Sequence, residues 1–149
     1  MNKARLGALL ALAILPLCLS GPALAGPIDE AKARAHLDAV AAGDLEGLMR
    51  DYAEDAYLDW VGGPLEGRYR GKAQIRALWE KWIGANKGQP RPVQRGALNA
   101  FANKTGASIE AKAAYEGAVP VKVWHVLTYR DGELDTEIWQ IAPALQIEK

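Results

Sequence analysis

The chain has 149 residues, and its 18 lysine and arginine residues balance 18 aspartate and glutamate residues, so the formal net charge is zero. This balance, with no run of basic residues, argues against nucleic acid or an anionic membrane surface as a partner. The single cysteine, Cys18, excludes a disulfide within the chain and a zinc site built from several cysteines.

The N-terminal stretch predicts export. Lys3 and Arg5 precede a short apolar run, and Ala23-Leu24-Ala25 follows it. This is the order of a secretory signal peptide, and the run is too short for a comfortable membrane span. We therefore expect residues 1–25 to be removed as a signal peptide. Residues 26–149 are then a single domain, periplasmic or secreted, with no stable membrane association.

The first half of that domain has a helical pattern. Apolar residues that recur every three to four positions predict three helices. These are Ile28–Ala42, a second helix that Asp44 caps, that extends through Tyr52 and Ala53 and that Asp55 closes, and a third that opens at Gly71. Tyr57–Val61 is rich in residues that favour strands, and we expect a strand there.

After Pro92 the apolar period changes to two, which is typical of strands. The predicted strands are Val93–Ala102, Ala107–Glu116, Pro120–Arg130 and Glu133–Ile141. Asp131-Gly132 is a strong hairpin signal between the last two strands. Helices followed by a meander of strands predict an α+β domain, with the helices packed on one face of an antiparallel sheet.

Three segments together resemble a known superfamily: Ala42–Ala56, Tyr69–Trp79 and Val126–Leu134. Their order is similar to that in the SnoaL-like branch of the nuclear transport factor 2-like superfamily, which includes ketosteroid isomerases and polyketide cyclases. The resemblance implies a cone-shaped fold, with N-terminal helices on a curved antiparallel sheet. It also implies a cavity that serves binding proteins and enzymes alike.

The same resemblance points to candidate catalytic residues. Ketosteroid isomerases have hydrogen-bond donors at two cavity positions, which His36 and His125 occupy here. Their general base lies on the first strand, where Trp60 falls in this chain and Asp59 is one position short. A slip of one residue turns a strand side chain to the opposite face. The candidate set is therefore His36, His125 and Asp59. Ordinary core packing is the alternative for each histidine, and solvent exposure is the alternative for Asp59.

Further residues are candidates for lining a ligand cavity. They are Tyr52, Trp60, Trp79, Glu137 and Trp139. The tryptophans suit a ring-shaped apolar ligand, although each of them also suits plain core packing. Glu137 is a possible acid of the cavity, but its face depends on the strand register. No pair of histidines has the spacing of a metal site, so we expect neither a metal nor another cofactor.

Two functions from different classes follow. The first is an exported domain that binds a small apolar or aromatic molecule in its cone. The second is an isomerase or cyclase that moves a proton next to a carbonyl, with the two histidines stabilising the oxyanion and Asp59 or Glu137 as the base. The direction of the Asp59 side chain discriminates between them.

The predicted strand Pro120–Arg130 also indicates assembly. Trp124 and Val126 share its outer face, and such an apolar patch is typical of an interface. Relatives commonly dimerise through the sheet, so we expect a homodimer with Trp124 near its centre. The alternative is that the C-terminal tail, Pro143–Lys149, covers Trp124.

Overall fold

The computed structural model describes residues 25–148 of the chain. Its elements are α1 (Ala25–Ala42), α2 (Leu45–Met49), β1 (Tyr52–Val61), β2 (Gly67–Arg70), α3 (Gly71–Ala85), β3 (Val93–Arg95), β4 (Asn99–Asn103), β5 (Gly106–Tyr115), β6 (Val121–Arg130) and β7 (Glu133–Ile141). The predicted signal peptide lies outside the described residues, apart from Ala25. Among the helices from residue 25 to residue 148, none is long and apolar enough to span a membrane.

The strands form one seven-stranded sheet. Its order is β2-β1-β7-β6-β5-β3, and β4 pairs with another part of β5. Neighbouring strands are antiparallel except β1 and β7, which run parallel. The predicted α+β fold, with helices packed on a curved sheet, is confirmed, and the single parallel pair makes that sheet mixed.

The second helix is shorter than the sequence pattern predicts, and the extension through Tyr52 was wrong. The helix ends at Met49. The backbone N–H of Leu134 donates a hydrogen bond to the carbonyl oxygen of Asp51 at 2.6 Å. This bond draws the chain alongside β7, so that Tyr52 opens β1 opposite Leu134. Pairing with the sheet therefore overrides the local helical periodicity, and β1 starts well before Tyr57.

The predicted strand Val93–Ala102 is also wrong, because two short strands, β3 and β4, occupy it. The break includes Gly96. A Cβ atom at this glycine would lie 3.1 Å from the carbonyl oxygen of Glu148. The C-terminal tail thus packs against the backbone at the point where the strand is interrupted, and a glycine permits that close approach.

The concave face of the sheet carries the core. Alternation along β5 and β6 is confirmed, because one set of side chains is buried and the other set is at least partly exposed. The buried set comprises Ile109, Ala111, Ala113, Tyr115, Val123, His125, Leu127 and Tyr129. Helix α3 covers this face with Ile75, Leu78, Trp79 and Trp82, as its period predicts. Burying each large apolar side chain contributes about 1.5–3 kcal/mol.

The outer face of the sheet has an apolar groove. Trp124, Val126, Ile138 and Phe101 line it, and the Phe101 side chain is 68% exposed. The indole N–H of Trp124 donates to a carboxylate oxygen of Glu110 at 2.5 Å. The described part of the tail reaches β6 at Lys122, whose ammonium group donates to the carbonyl oxygen of Leu145 at 3.1 Å. The homodimer stays a prediction.

Candidate functional site

A β-bulge in β7 turns Glu137 into the interior. Thr128 pairs with Thr136 and Tyr129 pairs with Leu134, so Asp135 is left as the extra residue between them. An extra residue reverses the face on which the following side chains point. Glu137 and Trp139 consequently lie on the concave side, and both are completely buried.

One oxygen of the Glu137 carboxylate is hydrogen-bonded by Tyr52 and has further side chains from two helices around it. The Tyr52 hydroxyl on β1 donates a hydrogen bond to Oε2, and this hydroxyl accepts a bond from the indole N–H of Trp79 on α3 at 3.1 Å. His36 on α1 places Nε2 3.2 Å from the same oxygen, although its geometry does not complete a hydrogen bond. Burial and the adjacent carboxylate raise the pKa of Tyr52 well above its ordinary value, so Tyr52 stays protonated and donates.

The charge of Glu137 results from opposing effects. Burial alone would raise the pKa of its carboxyl group, because a low dielectric disfavours the charged form. The nearby histidines and the Tyr52 hydroxyl outweigh this effect, and the pKa of Glu137 lies below its ordinary value of 4.5. The interior therefore contains a carboxylate that is ionised at neutral pH.

The other carboxylate oxygen, Oε1, faces His125. The Nδ1 atom of His125 lies 4.0 Å from it, and the Nε2 atom of the same ring is 3.1 Å from the Tyr115 hydroxyl. Burial lowers the pKa of His125 from 6.5 to about 4, and the attraction of Glu137 offsets only part of that effect. His125 is therefore neutral at neutral pH, and one ring nitrogen can donate while the other accepts.

Several buried polar atoms of side chains on the concave face of the sheet lack a hydrogen-bond partner among the described residues. They are Oε1 of Glu137, Nδ1 of His125, the hydroxyl of Tyr129 and Nε1 of Trp139. Leaving such a group unpaired costs about 1–3 kcal/mol, so native proteins rarely collect several in one place. Donors and an acceptor left unpaired on one concave face are typical of a site that binds a polar group.

Aromatic side chains pack beside these polar atoms. The Trp139 ring stacks between Trp60, at 4.4 Å between centroids, and Tyr115, at 5.4 Å. Trp82 meets Trp139 edge-on at 5.0 Å, and the Arg91 guanidinium lies 3.9 Å from the Trp82 ring centroid. The site thus combines flat apolar surfaces with a few polar groups, which is the usual composition of a small-molecule site.

Most of the residues that the sequence singled out are inside the cone. They are His36, Tyr52, Trp60, Trp79, His125, Glu137 and Trp139. Asp59 lies on the outer face, because its neighbours Leu58 and Trp60 point inward. Its carboxylate pairs with Arg68 through contacts of 2.6 and 3.0 Å. The structure does not bring Asp59 to the two histidines, and the carboxylate that they share is Glu137.

Sequence reasoning missed two hydroxyl groups, those of Tyr115 and Tyr129. The alternation of apolar residues along β5 and β6 puts both tyrosines on the same face as His125, so a signal was present. This signal is weak, because a tyrosine on an apolar strand face usually indicates packing. Across residues 25–148, no three histidine or acidic side chains are grouped in a way that would hold a metal ion.

Comparison with models of protein families identifies the family of this chain. Residues 33–135 match the model of the SnoaL-like domain. The chain belongs to this family. Glu137 lies just beyond the matched segment of the SnoaL-like domain, whereas His36 and His125 lie within it. No curated protein matches the chain significantly.

Solved structures similar to this SnoaL-like domain include a nuclear transport factor 2-like protein of unknown function from Burkholderia xenovorans LB400. It has 18% identity and a TM-score of 0.64, over 82% of this chain and 88% of that one. A protein assigned as a ketosteroid isomerase, from Kribbella flavida DSM 17836, has 16% identity and a TM-score of 0.56, over 85% and 86%. The epoxide hydrolase/cyclase-like enzyme SalBIII of salinomycin formation has 16% identity and a TM-score of 0.58, over 76% and 90%. Identities this low show a shared fold alone.

Proposed function

We propose that this SnoaL-like domain binds a small molecule inside its cone and that a donor group of the ligand forms a hydrogen bond with Oε1 of Glu137. The observation that carries the proposal is the asymmetry of the Glu137 carboxylate. Tyr52 already bonds Oε2, whereas Oε1 is buried and has no hydrogen-bond partner within residues 25–148. A hydrogen bond to a charged group contributes about 1.5–3 kcal/mol, which is enough to select ligands that carry a donor.

The surrounding side chains favour a flat ring that carries a hydroxyl or an N–H group. The rings of Trp60, Trp139 and Tyr115 make the surroundings largely apolar and aromatic, and only a few polar atoms lie among them. A purely apolar ligand would leave Oε1 of Glu137 and the Tyr129 hydroxyl unpaired. The ligand class is therefore an aromatic or alicyclic molecule with at least one hydrogen-bond donor.

Binding requires the side chains that enclose the interior to move, because His36, His125 and Glu137 are between 0 and 2% exposed. A surface groove of about 380 Å³ reaches Tyr115, between the ends of β5, β6 and β7. We propose that a ligand enters from this groove past the Tyr115 ring, which stacks on Trp139. We therefore expect slow ligand association, since the open form has to be populated first.

Proton transfer next to a carbonyl is the second candidate. It is favoured by the position of Oε1 of Glu137 beside a neutral histidine, since the carboxylate would take the proton and His125 would donate to the oxyanion. The similar structures include a protein assigned as a ketosteroid isomerase and a cyclase-like enzyme. The lowered pKa of Glu137 favours binding over this reaction, because a general base works best with a pKa near the working pH.

The test compares two acidic residues on opposite faces of the sheet. Tryptophan fluorescence of the protein is titrated with 2-naphthol and with naphthalene, which lacks the hydroxyl donor. Glu137→Gln replaces a charged acceptor by a neutral one, so we expect it to weaken 2-naphthol binding roughly tenfold and naphthalene binding much less. Asp59→Asn makes the same chemical change on the outer face and should leave both affinities unchanged.

Mass spectrometry under native conditions gives the independent measurement. A small molecule that the purified protein retains, and that Glu137→Gln loses, would support the proposal and identify the ligand class. Equal effects of the two substitutions on 2-naphthol affinity would contradict it. Turnover of a carbonyl substrate that Glu137→Gln abolishes and Asp59→Asn preserves would select the second candidate instead.

A further inference from the structure

The proposed site leaves one buried contact unexplained, the pairing of Tyr115 with His125. The Tyr115 hydroxyl and Nε2 of His125 are 3.1 Å apart, and both side chains are buried. Tyr115 lies on β5, four residues beyond Ala111, which is directly opposite His125 on β6. Both side chains project from the concave face, so the hydroxyl reaches the ring nitrogen that points away from Glu137.

The contact has two possible proton arrangements. A neutral imidazole carries one ring proton, so one nitrogen donates and the other accepts. If the Tyr115 hydroxyl donates to Nε2, the ring proton is on Nδ1. If Nε2 donates to the hydroxyl oxygen instead, Nδ1 presents a lone pair towards the site.

Glu137 favours one of them, and a Tyr115 hydroxyl that donates to Nε2 adds a hydrogen bond to that same arrangement. The Oε1 atom of Glu137 lies 4.0 Å from Nδ1 of His125. A lone pair on Nδ1 would repel the carboxylate oxygen, whereas an N–H dipole would be attracted to it. The preferred arrangement therefore has the proton on Nδ1 and the Tyr115 hydroxyl as donor. Burial raises the pKa of Tyr115, so its hydroxyl keeps the proton that this arrangement requires.

We infer that Tyr115 is a positioning residue that holds His125 in the Nδ1–H tautomer, so that a donor and an acceptor, Nδ1–H of His125 and Oε1 of Glu137, jointly recognise a ligand hydroxyl. Both atoms lack a hydrogen-bond partner in the described part of the chain. One hydroxyl oxygen about 2.8 Å from each would bridge their 4.0 Å separation at an angle of about 90°, accepting from His125 and donating to Glu137.

This inference rests on the proposed function in one respect only, namely that the Nδ1–H group of His125 serves to bind a ligand. The tautomer itself is a property of the domain without ligand. It is measured by long-range 1H–15N correlation spectra of the histidine rings in the 15N-labelled full chain at neutral pH. The chain has two histidines, so the His36→Gln variant assigns the signals. We expect Nδ1 of His125 to have the chemical shift of a protonated nitrogen and Nε2 that of an acceptor.

Tyr115→Phe removes only the hydroxyl. We expect the His125 signals of this variant to move towards the other tautomer, and the affinity for 2-naphthol to fall roughly fivefold with little change for naphthalene. Tyr69→Phe is the matched control, since the Tyr69 hydroxyl donates to the carbonyl oxygen of Leu65 at 2.8 Å on another strand. It should leave the His125 spectrum unchanged. A purely structural role of Tyr115 would lower stability without moving the tautomer signals.

A protonated Nε2 on His125 in the unsubstituted protein would overturn the inference, even if Tyr115→Phe does not fold. An unchanged tautomer in a folded Tyr115→Phe variant would also overturn it. The two proposals fail separately, because absence of 2-naphthol binding with the expected tautomer rejects the proposed function and leaves the role of Tyr115 intact.

Discussion

Acid should destabilise this domain well above the pH at which most carboxylates titrate, because His125 is buried in its neutral form. The pKa of His125 falls from 6.5 in the unfolded chain to about 4 in the folded protein. The folded state therefore binds fewer protons than the unfolded state between these two values. The stability that depends on a neutral His125 is fully present above about pH 6.5 and is lost progressively as the pH falls towards 4.

The size of the loss follows from the two pKa values. At about pH 5 the unfolded histidine is protonated and the folded one is still mostly neutral, 1.5 pH units below the unfolded pKa. Each unit corresponds to about 1.4 kcal/mol, so His125 alone should lower the free energy of unfolding by about 2 kcal/mol relative to pH 7.5. Glu137 adds little in this range, because its pKa is lowered and its contribution is lost only below 4.5.

Urea unfolding followed by tryptophan fluorescence at the two pH values measures this difference, provided that the m-value stays constant. His125→Gln keeps a polar side chain of similar size but cannot titrate. His36 is present in both proteins, so the difference between their pH dependences isolates His125. We expect the variant to be less stable at pH 7.5 but to lose much less on acidification. An equal loss in both proteins would refute the assignment of a buried neutral His125.

Two expectations from the sequence lead to further measurements. We expect the intact mass of the exported protein to correspond to cleavage before Gly26, and a product that retains Cys18 would reject the predicted signal peptide. We also expect light scattering to show a homodimer at tens of micromolar that Trp124→Glu dissociates, because Trp124 and Ile138 line the apolar groove of the outer face. If the native protein is monomeric, or if the Trp124→Glu variant remains dimeric, the prediction of an interface at Trp124 is wrong.

Local patterns were sufficient to predict most of the architecture. The change of apolar period after Pro92 separates the helical part from the meander, and Asp131-Gly132 is the turn between β6 and β7. These features are local, because each depends on the spacing of neighbouring side chains or on a turn of two residues. The start of β1 is not local. It depends on pairing with β7, which lies far away in the sequence, so periodicity extended the second helix wrongly through Tyr52.

The acid of the site was the hardest feature to predict. Strict alternation from Leu134, which is buried, would place Thr136 and Ile138 inside and Glu137 outside. The bulge at Asp135 reverses this order. A bulge is fixed by how two distant strands fit together, and β7 pairs with both β6 and β1. The residue type of Glu137 made it a candidate, but only the register determined that the two histidines share it.

The location of that acid differs from the one that the resemblance to ketosteroid isomerases implies. An isomerase base would project from β1, where Trp60 stacks on Trp139 of the neighbouring strand. In this chain the carboxylate comes from β7, and Tyr52 of β1 serves it as a hydrogen-bond donor. Under the proposed function, a ligand that donates to Glu137 would turn its donor group towards β7. The chain combines the SnoaL-like fold with a polar centre whose carboxylate comes from β7, so the shape of the fold alone is a poor guide to its function.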